Sequence, residues 1–185
     1  MKQSQALHTL MRQAEQGQAV FDVHDLAVLF PDDSPRGREA GITRLVKAGW
    51  LERVARGLYV FPTGLPRDGF TLERLARSLR RGEDNYVSLE SALSEWGAIA
   101  QIPLGYLTVM TTGRKGTFRT RFGTIEFTHT QRSLQDLLNN TIPNTTRPLP
   151  IATPEAAWRD LKRVGRNTHL VDPEELSEII KERAA

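Results

Sequence analysis

The sequence contains no cysteine, and only three methionines, three tryptophans and three tyrosines among its 185 residues. Without cysteine there is no disulfide framework, no thiol nucleophile and no thiolate metal site, a composition that fits a reducing compartment. Long apolar runs are missing too. The opening MKQSQALHTL lacks the apolar core of a secretory signal, and no stretch approaches the ~20 residues that span a bilayer. A soluble, cytoplasmic protein without a membrane partner is expected. Neither charge sign dominates, since 25 Lys and Arg stand against 22 Asp and Glu for a net +3.

Catalytic signals are equally scarce. The four histidines, His8, His24, His129 and His169, are isolated in sequence, and none has a second ligand at metal-binding spacing. Ser88 and Ser91 have no nearby histidine to activate them, so capping or packing explains them better. The acid pairs Asp32-Asp33 and Glu174-Glu175 fall at a turn and a helix start. Gly113 to Thr117 lacks the spacing and the strand-to-helix setting of a phosphate loop. No catalytic residue, cofactor or metal is expected, and the chain reads as a non-enzyme.

What is present is concentrated between Pro31 and Phe61. Ser34 followed by Pro35 is a helix start with a capping hydroxyl and proline at the first position, and Gly49 is a left-handed stop. At about 100° per residue, Ile42, Leu45, Val46 and Gly49 share one buried stripe, with Arg36, Ala40, Thr43, Arg44 and Lys47 opposite. Leu51, Val54, Leu58 and Val60 then mark two short strands broken at Arg56-Gly57, with Arg53 and Arg56 near the tip. From residue 36 to residue 56, six cations (Arg36, Arg38, Arg44, Lys47, Arg53, Arg56) face only Glu39 and Glu52, a net +4 in 21 residues. A charge run alone is equally the solvated face of an ordinary helix. Cap, stripe, glycine exit and basic hairpin together read as a winged helix-turn-helix, whose recognition helix enters the major groove while the wing touches the backbone. The candidate DNA-binding residues are Ser34, Arg36, Arg38, Thr43, Arg44, Lys47, Arg53 and Arg56.

Upstream, Ala6, Leu7, Leu10, Met11 and Ala14 give a first helix over 2–15. Ala19 to Phe21 is a short strand, and Asp22 caps a helix from Val23 to Phe30 with Val23, Leu26, Ala27 and Phe30 on its apolar face. The winged domain is expected over 1–61, a Pro/Gly-rich linker over 62–69 and a second domain over 70–185, giving an α+β fold overall.

In the second part, Thr71 opens a helix with Leu72, Leu75, Ala76 and Leu79 on one side and Arg74, Arg77, Arg80 and Arg81 on the other. Leu89, Ala92, Leu93 and Trp96 form the stripe of the next. Between Tyr106 and Thr130 the period becomes two, with turns at Gly113–Gly116 and Phe122-Gly123, which reads as a three-stranded antiparallel meander. Arg77, Arg81, Arg114, Lys115, Arg119 and Arg121 make a candidate second basic surface. Leu134, Leu137 and Leu138 give a short helical turn, 139–150 an exposed polar loop, and Thr153-Pro154 and Asp172-Pro173 start two closing helices with flanking acids.

Three stretches together resemble the AbiEi family of antitoxins from bacterial abortive-infection toxin–antitoxin systems. They are RLVKAGWLERVARGLYV (44–60), YVSLESAL (86–93) and IATPEAAWRDL (151–161), in an order and spacing that span about residues 6 to 165. The resemblance implies an N-terminal winged helix that binds repeats in its own operon promoter as a transcriptional repressor. It also implies a C-terminal domain that counters a nucleotidyltransferase-like toxin. The partners so implied are double-stranded DNA, filled by a monomer or a dimer, and the cognate toxin, reached functionally or by direct contact. An antitoxin acting mainly by binding its toxin directly is the other reading that the residues leave open.

Overall fold

The computed structural model describes residues 2–100, 104–143 and 146–184, which divide into two compact units, Met1–Thr71 and Leu72–Ala185. The first unit contains three helices, α1 (Gln3–Glu15), α2 (Val23–Leu29) and α3 (Pro35–Lys47). Its three strands are β1 (Val20–Asp22), β2 (Glu52–Ala55) and β3 (Leu58–Val60). The strands form one antiparallel sheet in the order β1-β3-β2. Ala6 and Leu10 from α1, Leu26 and Phe30 from the α2 end, and Ile42 and Leu45 from α3 meet Phe21, Leu51 and Phe61 in one core, with Trp50 and Tyr59 packed on it. This is the three-helix, three-strand order expected of a winged helix-turn-helix.

Three residues of the first unit depart from the expected apolar faces, Met11, Val23 and Gly49, and Met11 is exposed on α1. Val23 is exposed, so the buried face of α2 rests on Leu26, with Leu29 packed beside it. Gly49 does not continue the buried stripe of α3. It is exposed at φ 75°, the left-handed conformation that ends the helix without a Cβ penalty, while Gly41 takes the buried position.

The second unit begins with α4 (Thr71–Leu79) and continues through β4 (Asn85–Val87), α5 (Leu89–Glu95), β5 (Tyr106–Thr111), β6 (Gly116–Thr120) and β7 (Gly123–His129). It closes with α6 (Leu134–Asn140), β8 (Thr141–Ile142), β9 (Ile151–Ala152), α7 (Pro154–Val164) and α8 (Pro173–Ala184). Six strands make one mixed sheet in the order β6-β7-β5-β4-β9-β8. The fold is α+β, but the expected meander is a different arrangement. β5 pairs with β7 in parallel, Tyr106 opposite Thr124 through Thr111 opposite His129, and β6 pairs with β7 alone. The 112–115 turn therefore crosses the end of β7, where His129 Nδ1 donates to the Gly113 carbonyl at 2.8 Å. A Cβ on Gly123 would lie 2.2 Å from the Gly105 carbonyl oxygen, so glycine permits the close β5–β7 approach.

The polar loop expected over 139–150 is also different in its described part (144 and 145 lie outside the described residues). It holds β8, and Arg147 is buried between Glu73 and Glu95 while the Leu149 N–H donates to Glu73. Burial opposes the Arg147 charge, but the hydrogen bonds it donates to Glu95 and Glu73 outweigh it and raise its pKa. A cation with two carboxylates ties this segment down where composition alone reads as solvent-exposed.

Candidate nucleic-acid interface

The helix-turn-helix is fixed by short-range capping. Asp22 accepts from His24 N and Asp25 N, while Asp25 returns a bond to Asp22 N, a reciprocal box that starts α2. Ser34 Oγ accepts from Gly37 N at 3.1 Å and Pro35 takes the first turn of α3. Between the two helices, the Arg38 guanidinium donates to the carbonyls of Phe30 at 3.3 Å and Asp33 at 3.2 Å.

These bonds divide the candidate residues. Ser34 uses its hydroxyl as the cap, and Arg38 is half-buried with its guanidinium on the turn. Thr43 donates its hydroxyl to the Glu39 carbonyl at 2.9 Å, leaving its methyl and oxygen lone pairs outward on an exposed position. Arg36, Arg44 and Lys47 are exposed on the same side of α3, with Ala40 between them. An exposed cationic helix face with a small residue at its centre can approach a groove edge closely, which is the requirement for reading bases.

In the β2–β3 hairpin, Arg53 lies opposite Tyr59 and Ala55 opposite Leu58, so one residue bulges out before the tip. Arg53 Nε donates to the Ala55 carbonyl across this bulge. Arg56 is exposed at the tip, where Gly57 turns the chain at φ 75°. The hairpin thus presents Arg56 outward and holds Arg53 against its own backbone.

The residues of the candidate second basic surface are spread over α4 and the turn after it, the 112–115 turn, and β6 with the residue that follows it. Arg77, Arg81, Arg114, Lys115, Arg119 and Arg121 are all exposed. Arg114 and Lys115 share a shallow hollow of about 610 Å³ with Glu83 and His129, whereas Arg77 lines a different groove. The Arg121 guanidinium lies 4.8 Å from the Phe122 ring centre, and Arg119 stands on the edge strand β6. Arg80, on the basic side of α4, is structural. It lies 5.0 Å from the Phe118 ring centre and 4.5 Å from that of Phe127, and donates to the Arg114 carbonyl.

Sequence reasoning missed a buried carboxylate. Asp160, on the inner side of α7, is fully buried and accepts from Tyr86 Oη at 3.0 Å, Ser88 Oγ at 2.9 Å and Arg132 Nη2 at 2.7 Å. Burial and the Asp160 charge raise the Tyr86 pKa, so the phenol stays protonated as a donor. Beside it, Thr108 donates to the Ser88 carbonyl, accepts from Ser91 N and gives its own N–H to Ser91 Oγ. Ser88 and Ser91 are therefore packing and bridging groups, as their lack of a histidine implied. Leu89 between them adopts φ 57° while wholly buried, a strained conformation for a leucine that these bonds hold in place. The signal available in the sequence was an aspartate one turn after Ala156 and Ala157 on an otherwise apolar face.

Among the described residues no group of three His, Asp or Glu could hold a metal ion, and no helix is long and apolar enough to cross a membrane.

Residues 33–62 match a family model described as the AbiEi antitoxin transcriptional regulator. The matched residues run from the end of the turn through α3 and the hairpin, the segment that carries the first of the three resembling stretches. The match supports a DNA-binding antitoxin regulator in general terms. No curated protein matches the sequence. Among solved structures, the chain is similar to the crystal structure of the RV2827C protein from Mycobacterium tuberculosis. The TM-score is 0.58 at 17% identity, over 96% of this chain and 70% of that one, a likeness of fold alone.

Proposed function

We propose that this chain is a sequence-specific repressor of its own operon and the antitoxin of a toxin–antitoxin pair. The observation that carries the reading is the exposed cationic face of α3, set beside an exposed Arg56 at the wing tip, within the segment matched by the antitoxin-regulator family. Arg44 is the leading base reader, with Arg36, Lys47 and the Thr43 methyl beside it in the major groove. An arginine fork satisfies both acceptors of a guanine edge. Arg56 holds a phosphate of the flanking backbone. Arg38 and Ser34 set the geometry of the helix-turn-helix rather than touching bases.

The winged domain of residues 1–61 binds repeats in the promoter, and residues 70–185 counter a nucleotidyltransferase-like toxin. The chain acts without catalysis or cofactor, in the cytoplasm. Footprinting of the DNA upstream of the gene, with a promoter reporter and co-expression with the neighbouring gene, tests this reading. Protection of spaced repeats, repression of the reporter and rescue of growth are expected. No protection upstream and no change in the reporter would reject the repressor half, and unrelieved toxicity would reject the antitoxin half.

A further inference from the structure

The hydroxyl hydrogen of Thr43 is already spent. It is donated to the Glu39 carbonyl one turn back at 2.9 Å, which fixes the side-chain torsion. A threonine hydroxyl has one hydrogen and two lone pairs. With that hydrogen committed, an acceptor on a base edge, such as guanine O6 or N7, adenine N7 or thymine O4, finds no donor here. The methyl group and a lone pair remain, on an exposed position.

Ala40 decides between them. It is exposed too and lies three residues earlier on α3, about 60° round the helix, so its methyl and that of Thr43 are surface neighbours. Arg36 and Lys47 lie along the same line, before and after the pair, and Arg44 flanks Ala40 on the next row. The centre of the exposed face is therefore two methyl groups in a frame of cations. The cations suit phosphates and guanine edges, whereas a methyl pair would leave a polar base edge without a partner. The apolar group that a base pair displays in the major groove is the C5-methyl of thymine.

We infer that the apolar centre of α3, formed by Ala40 and Thr43, selects a thymine by its C5-methyl group in each bound repeat. The inference rests on the DNA-binding reading and deepens it, by naming a base for the part of the face that carries no charge. That thymine lies within about two base pairs of the guanine assigned to Arg44. Ala40 and Arg44 are one helical turn apart, about 5–6 Å, against about 3.4 Å for each base pair.

A duplex from upstream of the gene, with deoxyuridine replacing one thymidine at a time, tests the inference in anisotropy titrations of the full chain. Each replacement removes a single methyl group and leaves pairing and every hydrogen-bonding edge intact. One thymine in each bound repeat should cost the wild type about three- to tenfold in affinity, the scale of one buried methyl, and the others less than about twofold. Thr43→Ser keeps the hydroxyl and loses the methyl. It should bind the thymidine duplex as weakly as the wild type binds the sensitive deoxyuridine duplex, and should not distinguish the two. Thr43→Val, which keeps the methyl, should retain the distinction. Thr43 is exposed, so neither replacement opens the core. Selective wild-type binding with no sensitive thymine, or a Thr43→Ser chain that still distinguishes the two duplexes, would overturn the inference alone. A Thr43→Val chain that loses selective binding would pass the contact to the oxygen, which accepts from an adenine or cytosine amino group, and would overturn it too. Wild-type binding without selectivity would overturn the DNA-binding reading and the inference with it.

Discussion

The guanidinium of Arg38 donates to the carbonyl of Phe30, eight residues earlier, and in doing so ties the start of α3 to the end of α2. A second bond to the Asp33 carbonyl makes the arginine a brace across the turn. Arg38→Ala is expected to cost about 1 to 2 kcal/mol of stability in the first unit, the scale of two charge-assisted bonds at a half-buried site. Because α3 then loses its fixed angle, affinity should fall on cognate and random DNA alike with an unchanged salt slope. Calorimetry and a salt series on both duplexes check this. A salt slope reduced by one would instead make Arg38 a phosphate contact.

Arg44 and Arg56 should separate by specificity. Arg44→Ala is expected to lose about 1 to 3 kcal/mol at the cognate site and little on random DNA. Arg56→Ala should weaken all sequences and flatten the plot of log affinity against log salt by about one. Equal losses on both duplexes for Arg44→Ala would remove its assignment as a base reader.

Asp160 serves the second unit only. Asp160→Asn removes the charge facing Arg132 and one acceptor shared by Tyr86 and Ser88, and should destabilise that unit by about 3 kcal/mol. DNA affinity should persist at temperatures where the second unit remains folded. A melt unchanged from wild type would show that the buried carboxylate is dispensable.

Burial raises the Glu73 carboxyl above its ordinary value of 4.5, against the hydrogen bond and charge of Arg147. The folded chain therefore holds this proton more tightly than the unfolded chain. The group's contribution to stability is greatest below 4.5 and declines as pH rises through the raised folded value. Melting curves from about pH 4 to about pH 7 should show the wild type losing stability relative to Glu73→Gln. Parallel curves for the two proteins would contradict this.

Local chemistry made the first unit readable. The Ser34-Pro35 cap, the Gly49 exit and the Arg56-Gly57 tip are each decided within a few residues, and the structure reproduces the bounds they imply. Strand order in the second unit is not local. Alternation located β5, β6 and β7, but nothing in it tells a β5–β6 pair from a parallel β5–β7 pair, and chain neighbours usually pair. β8 and β9 are two residues each, too short for any period. Arg147 fell in a stretch that reads as an exposed loop and Asp160 carried no signal of its own, because their partners Glu73, Tyr86 and Ser88 lie more than seventy residues away. On α3 the exposed residues were legible, while the inward commitment of Arg38 to the turn was not, since periodicity describes faces and not hydrogen bonds.

The central claim is that α3 reads a defined DNA sequence. Its most direct test is an anisotropy titration of the full chain on a duplex from upstream of its own gene, beside a random duplex, across a salt series. Tight and selective binding that Arg44→Ala weakens at the upstream duplex alone, by about 1 to 3 kcal/mol, is the predicted result. Weak binding, equal on both duplexes and indifferent to Arg44→Ala, would contradict it.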